Sequence, residues 1–313
     1  MRGLTLVLSL DLLLLLLVVP GCGAVQRSEP DGGVVDALDP ADTGPAPRCD
    51  PRGTFDPPVP LAGLADPAEG EGTIRLSTDE RTAYVSGLFG GASAWDIMVA
   101  ERASVDAPFG PLVPFSQNGD RDDWDPTISA DGLVLVFGST RLAGDSDLFL
   151  TTRASTDAEF GAPVRIPELN SPVAFTRDGQ AFLTADGEEI WFHSDRAGGD
   201  GGPDLYRATR SGTTFGTPVR VAELSSPSEE WLPVLSADRR TIYFSSDRLG
   251  DYDIWVAHRD HPDEPFATPS RVTELASAGS DHPGSLSADG CRLYLNSTRA
   301  GGSDAYVAVR RPQ

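Results

Sequence analysis

Residues 235–258 read LSADRRTIYFSSDRLGDYDIWVAH. Apolar and polar residues alternate around Thr241-Ile242-Tyr243-Phe244, and clusters of Asp, Gly and Ser flank this run. Period-two alternation bounded by turn residues predicts short β-strands rather than helices. The stretch therefore predicts antiparallel strands connected by tight turns.

The same pattern occurs five times along the chain. Each copy has Ser or Thr, one further residue and then an aspartate, and these aspartates are Asp79, Asp131, Asp186, Asp238 and Asp289. Their spacings are 52, 55, 52 and 51 residues, and such near-constant spacing indicates a repeat array. A fourth element follows, as in Phe215-Gly216-Thr217-Pro218-Val219, and its proline suits an outer strand that need not donate every ladder hydrogen bond. Four strands per repeat predict the blades of an all-β propeller.

The order of the strands predicts how the ring closes. The outer-strand motif already occurs at residues 55–61, before the first complete set of three strands. The last copy ends with a third strand, residues 306–309, that lacks an outer partner. Pairing these two segments would remove both exposed sheet edges. The sequence therefore predicts a five-bladed β-propeller of four-stranded blades, closed by an N-terminal outer strand.

The repeat also resembles a known family. The Ser-Ala-Asp-Gly turn, the apolar strand, Ser-Asp-Arg and Asp-Ile-Trp together resemble the WD-like repeat of TolB-type periplasmic propellers, over about residues 55–311. The resemblance implies an envelope protein that binds protein partners, and it implies six blades, which is the alternative count. Two copies depart from the pattern: Ser86-Gly87-Leu88 replaces Ser-Asp-Arg, and residues 172–181 form an extra stretch. Because the motif aspartates recur in most blades, we assign them to the fold, accepting turn amides and pairing with arginine.

The N-terminus predicts export. Met1 and Arg2 precede an apolar run, Leu12 to Val19, that is too short to span a bilayer and ends at Pro20-Gly21-Cys22. This segment resembles a lipoprotein signal, in which Cys22 becomes the lipidated first residue and anchors the protein to a membrane, at the outer membrane or the periplasmic side. The alternative is an ordinary secretory signal with a free cysteine beside it.

Composition divides the remaining chain and excludes one class of partner. Residues 22–54 are rich in Asp, Pro, Gly and Ala, which predicts a disordered tether between a signal peptide, residues 1–21, and a single propeller, residues 55–311. The net charge of −22 repels phosphate backbones, so nucleic acid is excluded as a partner. We expect the protein to be a monomer.

Two further cysteines predict a disulfide bond. Cys49 lies just before the closing strand, and Cys291 opens the second strand of the last blade. The predicted strand directions place both at the same rim of one blade, and an oxidising compartment would let them pair across the closure. The alternative is two unpaired thiols.

Signals for catalysis or for metal binding are scarce. The sequence has no Gly-x-Ser-x-Gly elbow, no His-Glu-x-x-His helix, no phosphate-binding glycine loop and no Cys-x-x-Cys pair. Its four histidines are scattered, so we predict no metal site from them and no cofactor.

The loops that enter the innermost strands form the candidate binding face. Such loops crowd the mouth of a propeller channel, and here they combine carboxylates with aromatic residues. The candidates are Asp122, Asp123, Trp124, Asp125, Glu229, Glu230, Trp231, Asp281 and His282, with Glu69 and Glu71 in the first copy. Such a surface could bind calcium, an Arg- or Lys-bearing peptide, or a sugar ring. The alternative is that the acids only cap backbone amides at the start of each strand.

Two classes of function remain open. The first is a lipid-anchored scaffold that binds an envelope protein or peptide at the channel mouth. The second is a carbohydrate-binding protein or propeller glycoside hydrolase, which needs two carboxyl groups about 5 to 10 Å apart. Asp125, Glu230 and Asp281 are the candidates for that pair, although as equivalent positions of one repeat they are expected without catalysis. The sequence favours binding over catalysis.

Overall fold

The computed structural model describes residues 49–64, 70–90, 93–142 and 146–311. The described residues form strands and turns. In chain order the strands are β1 (Val59–Pro60), β2 (Gly70–Leu76), β3 (Thr82–Leu88), β4 (Asp96–Glu101), β5 (Val113–Pro114), β6 (Asp123–Ile128), β7 (Val134–Ser139), β8 (Asp147–Thr152), β9 (Val164–Arg165), β10 (Asp178–Leu183), β11 (Glu189–Ser194), β12 (Asp204–Ser211), β13 (Thr214–Phe215), β14 (Val219–Arg220), β15 (Glu230–Leu235), β16 (Thr241–Ser246), β17 (Asp253–His258), β18 (Ser270–Arg271), β19 (Asp281–Leu286), β20 (Arg292–Ser297) and β21 (Asp304–Val309).

The strands form five antiparallel sheets, which are the five blades of a propeller. Strands β2–β5 form blade 1, β6–β9 blade 2, β10–β14 blade 3 and β15–β18 blade 4, while β19–β21 form blade 5 together with β1. Blade 3 carries one extra short strand, β13, paired to β12. The prediction of an all-β propeller with five blades is confirmed, and the six-bladed alternative is wrong.

The ring closes where the sequence places its closure. Strand β1 pairs with β21, with Val59 opposite Val307 and Pro60 opposite Tyr306, and Phe55 forms a bridge to Arg310. A disulfide bond joins Cys49 to Cys291 at this blade, with the two Cα atoms 5.7 Å apart. The N-terminal segment is therefore attached to the last blade both by hydrogen bonds and covalently.

Each turn between the first two strands of a blade follows the same design. In blade 4 the Ser236 hydroxyl donates to Asp238 Oδ1 at 2.6 Å and accepts the Thr241 N–H at 2.9 Å. The next position has a positive φ, 71° at Gly132 and 70° at Gly290, which glycine adopts without strain. The recurrent Ser/Thr-x-Asp signal thus sets the turn of each blade, and the positive-φ position that follows is glycine in blades 2, 3 and 5 but Glu80 in blade 1 and Arg239 in blade 4.

The motif aspartates follow the expected roles only in part. Asp253 of Asp-Ile-Trp pairs with Arg271 of the outer strand at 2.7 Å, as expected. In Ser-Asp-Arg, however, Asp247 accepts the Glu229 N–H at 3.0 Å, and Arg248 pairs with Glu230 at 2.7 Å. The arginine of this motif therefore fixes the innermost strand of its blade rather than its own neighbour.

Most of the apolar core lies between adjacent blades. Tyr243 of blade 4 packs with Leu293 and Leu295 of blade 5, and Trp191 of blade 3 packs with Phe244 of blade 4. Alternate side chains of the second strand pack against the two neighbouring blades, because successive strand residues point to opposite faces of a sheet. Within the described ranges, the structure has no helix with the length and apolar character needed to span a bilayer.

Candidate functional site

A funnel opens at the channel mouth where the innermost strands begin. Its volume is about 650 Å³. Each blade contributes one aromatic or imidazole ring to its wall: Trp95, Trp124, His193, Trp231 and His282. We call these five rings the aromatic crown. Trp124, Trp231 and His282 were candidates from the sequence, whereas Trp95 and His193 were missed.

The crown rings come from different strands of their blades. In two blades a glycine on the paired strand leaves room for the ring. Trp124 on β6 faces Gly138 on β7, and a Cβ at Gly138 would lie 2.5 Å from the Trp124 Nε1 atom. In blade 3 the pair is reversed, with Gly179 on β10 and His193 on β11. Either strand can therefore supply the ring, provided that its partner leaves room.

We expect Gly138→Ala to displace Trp124 and to cost about 1 to 3 kcal/mol of stability through overpacking. The near-ultraviolet circular dichroism of the tryptophans should change, because the ring must leave the β7 backbone. Gly161→Ala is the matched control, since a Cβ there meets only the Thr152 carbonyl oxygen, at 3.5 Å. Identical spectra for Gly138→Ala and wild type would contradict the placement of Trp124.

Three crown rings belong to a stacked arc. Ring centroids are 5.6 Å apart for His193 and Trp231, 5.3 Å for Trp231 and Tyr252, and 5.4 Å for Tyr252 and His282. The Tyr252 hydroxyl donates to Glu229. Neighbouring rings thus cover the faces of Trp231, and its edge remains for the funnel. In the described part of the chain no ring stacks on Trp124, whose side chain lies on Gly138.

Both crown imidazoles are neutral at pH 7. Burial lowers the pKa of His193 to about 3 and that of His282 to about 4. The His282 Nδ1 atom lies 2.8 Å from the Ser245 hydroxyl oxygen. The His193 Nδ1 atom is buried and has no hydrogen-bond partner among the described residues.

The floor of the funnel is polar on one side and apolar on the other. Thr73 donates a hydrogen bond to Asp125, and Gln180 also bonds to that carboxylate. Leu232 of blade 4 forms the apolar side. Asp125, Gln180 and Leu232 share left-handed backbone, with φ of 49°, 51° and 54°, at the irregular step in the pairing of each innermost strand. Burial raises the pKa of Asp125, and the Thr73 hydrogen bond opposes this.

Arg75 lies below the floor and narrows the channel. It donates to the carbonyl oxygens of Gly284 and, at 3.3 Å, Pro233, and its guanidinium carbon lies 5.3 Å from the centroid of the Phe182 ring. Burial lowers its pKa to about 10, so the side chain stays charged at pH 7. Arg75 also lines a cavity of about 90 Å³ at the opposite mouth.

Three candidate acids are parts of the blade rather than of the funnel wall. Asp123, Glu230 and Asp281 begin innermost strands and are buried. Each pairs with the arginine of Ser-x-Arg in its own blade, and the pairs, each at 2.7 Å, are Asp123–Arg141, Glu230–Arg248 and Asp281–Arg299. Each also accepts a backbone N–H from the preceding loop, from Gly119, Ser226 and Ser277 respectively. These three carboxylates therefore accept backbone N–H groups at the start of a strand, which is the alternative interpretation of the sequence.

The equivalence assumed between Asp125, Glu230 and Asp281 is wrong. Strand register aligns Asp123 with Glu230 and Asp281, because these three face Ser139, Ser246 and Ser297 respectively. Asp125 stands two residues further along, in the irregular step. It is therefore the acid that reaches the funnel floor, while Glu230 and Asp281 do not line the funnel.

The remaining candidates occupy different places. Asp122 lines the funnel half-buried and accepts the Trp95 N–H at 2.9 Å. Glu229 is half-buried beside Tyr252. Cys22 and Glu69 lie outside the described residues, and Glu71 lies in β2. The parts of the chain that the structure describes contain no group of three or more His, Cys, Asp or Glu side chains placed to hold a metal ion, so nothing there supports a calcium site.

Comparison with known proteins shows the fold and goes no further. No protein-family model matches the sequence, and no curated protein is similar enough in sequence to count as a relative. A thermostable family-43 glycoside hydrolase is 16% identical over 80% of this chain and 91% of its own, with a TM-score of 0.55. An endo-arabinase from Bacteroides thetaiotaomicron is 14% identical over 83% of this chain and 98% of its own, also with a TM-score of 0.55.

TolB-type structures are also among the similar folds. TolB from Acinetobacter baumannii is 16% identical over 78% of this chain, with a TM-score of 0.46. The chain spans 56% of the length of that protein. The family-43 glycoside hydrolase and the endo-arabinase thus share this architecture, and at such low identity they indicate no shared activity.

Proposed function

We propose that this protein is an exported binding module whose funnel face takes a protein or peptide partner in the cell envelope. The observation that carries the proposal is the aromatic crown, which surrounds a funnel of about 650 Å³. Aromatic residues with polar tips favour protein interfaces, since they bury large areas at low entropic cost. A rigid five-bladed ring holds these side chains in place.

Exposed apolar side chains on the same face support this proposal. Leu142 and Leu249 lie in the connections between second and third strands and are 51% and 65% exposed. Phe175, in the extra stretch of blade 3 that enters β10, is 83% exposed. These side chains lie in loops of blades 2, 3 and 4 that open on the funnel face, where a protein partner would cover them.

The lipid anchor and tether belong to the same proposal. Cleavage before Cys22 and its lipidation would fix the chain to a membrane, and the residues between Cys22 and Cys49 would hold the propeller away from the surface. Mass measurement of the exported chain tests this proposal, because lipidation adds acyl chains that Cys22→Ala would remove.

A saccharide is the second candidate ligand. Trp95 and Trp124 could stack a sugar ring, and the buried Asp125, whose pKa is raised, has the character of a general acid. Glycoside hydrolysis also needs a second carboxyl group at a suitable distance. Among the described funnel residues that group is Asp122, which already accepts the Trp95 N–H. The geometry therefore favours binding over hydrolysis.

The test compares partner capture with sugar binding. We expect chemical cross-linking in intact envelopes to join the wild-type protein to a defined protein partner, and the combined change Trp124→Ala and Trp231→Ala to abolish that product. Glu159→Ala, an exposed change near the opposite face, should leave it intact. Saturable oligosaccharide binding that the double change abolishes, without any cross-linked protein, would replace this proposal by the second candidate.

A further inference from the structure

The inner part of the funnel contains buried polar atoms that have no hydrogen-bond partner among the described residues. Gln180 is 9% exposed, and its Oε1 atom is buried without a partner among the described residues. His193 is 7% exposed, and its Nδ1 atom is likewise unpartnered. Leaving such groups unmatched is unfavourable. Both residues line the funnel, so a ligand that brings several N–H groups would satisfy Gln180, and it would satisfy His193 in the tautomer whose Nδ1 carries no proton.

The charge at the floor is negative on the funnel side. Asp125 lines the funnel, and so does the half-buried Asp122, which immediately precedes β6. Of the two arginines nearby, Arg177 is paired with Asp195 at 2.7 Å. Arg75 donates to two carbonyl oxygens below the floor. Asp122 and Asp125 thus give this side of the funnel two carboxylates, while Arg177, which also lines the funnel, is paired with Asp195 and Arg75 attracts Asp125 from below.

The crown adds a planar surface above this floor. Trp95 and Trp124 both line the funnel next to the acidic side, near Asp122. Indole faces attract cations, and a flat guanidinium stacks on them better than a compact ammonium group does. The indole rings of the wall and the carboxylates of the floor thus both favour a planar cation.

We propose that the funnel receives an arginine side chain of the protein partner, with its guanidinium against Trp95 and Trp124 and its N–H groups directed to Asp125, Gln180 and His193. This proposal rests on the proposed function and specifies which residue of the partner enters. Arginine supplies five N–H donors in a fixed plane, which matches a carboxylate flanked by two further acceptors. Lysine offers three donors and no plane.

The first experiment needs no variant. The exported chain is titrated with the peptide acetyl-Ala-Arg-Ala-amide and with its citrulline counterpart, which has nearly the same shape but no charge. Tryptophan fluorescence reports binding, because three of the crown rings are tryptophans. We expect the arginine peptide to bind at least tenfold more tightly than the citrulline peptide, with the lysine peptide between them. Affinity should fall on acidification, as Asp125 takes up a proton.

Two variants locate the site. Asp125→Asn should lower the affinity for the arginine peptide at least tenfold, whereas Asp157→Asn, the same change in charge near the opposite face, should alter it less than twofold. Gln180→Met removes one acceptor without changing the charge, and it should lower the affinity severalfold even if Asp125→Asn does not fold.

Equal affinity for the arginine and citrulline peptides would overturn the proposal. So would the absence of any peptide binding when cross-linking still captures a protein partner through the crown, and in that case the proposed function itself would stand. Binding of oligosaccharides alone would overturn both.

Discussion

Removing the Cys49–Cys291 disulfide should lower the free energy of unfolding by about 4 to 5 kcal/mol. The bond spans 242 residues, so it restricts nearly the whole unfolded propeller. Its loss increases the entropy of the unfolded chain far more than it disturbs the native ring, where β1 still pairs with β21. Guanidinium denaturation of the variant Cys49→Ala with Cys291→Ala measures the effect.

Dithiothreitol provides the control for this prediction. It should destabilise the wild-type protein to the level of the double variant and leave the variant itself unaffected. A wild-type midpoint that does not move under reducing conditions would show that β1 holds the ring closed without covalent help.

Glu230→Ala should lower the free energy of unfolding by about 3 to 5 kcal/mol. Glu230 is buried and pairs with Arg248 at 2.7 Å, and it accepts the Ser226 N–H at 3.1 Å. Alanine would leave the guanidinium without its counter-charge in a site that is largely shielded from water. Urea denaturation, followed by circular dichroism, gives the change.

A paired replacement separates the lost charge from the lost packing. Glu230→Leu combined with Arg248→Leu removes both charges, and it should be closer to wild type than Glu230→Ala alone. Glu229→Ala changes the neighbouring half-buried acid and should cost only about 1 kcal/mol, for one hydrogen bond. If Glu230→Ala and Glu229→Ala cost the same, the ion pair does not hold the innermost strand.

The blade architecture follows from signals that the sequence states directly. Turn aspartates at near-constant spacing, an early outer-strand motif and a last strand without a partner were sufficient for five blades and for the closure between β1 and β21. These features are local in sequence or depend on strand order. Predicting the architecture from these features requires no knowledge of where single side chains point.

The funnel could be predicted only in part, because strand irregularities decide which side chains reach it. The irregular step after Trp124 places Asp125, and not Asp123, over the channel, and the order of residues in the loop does not reveal such a step. His193 was missed because it comes from a second strand. One signal was present in the sequence: Gly179 occupies the place of Trp124 and Trp231, which indicates that another residue fills that space.

The disulfide at the closure also determines how the molecule responds to mechanical tension. A pull on the chain that precedes Cys49 reaches the ring at that residue, before it reaches Phe55 or β1. The load then passes through sulfur into Cys291 and the adjoining strand β20, in the middle of a sheet. The hydrogen bonds of β1 therefore lie outside the path of the load, so this short closing strand is shielded from peeling.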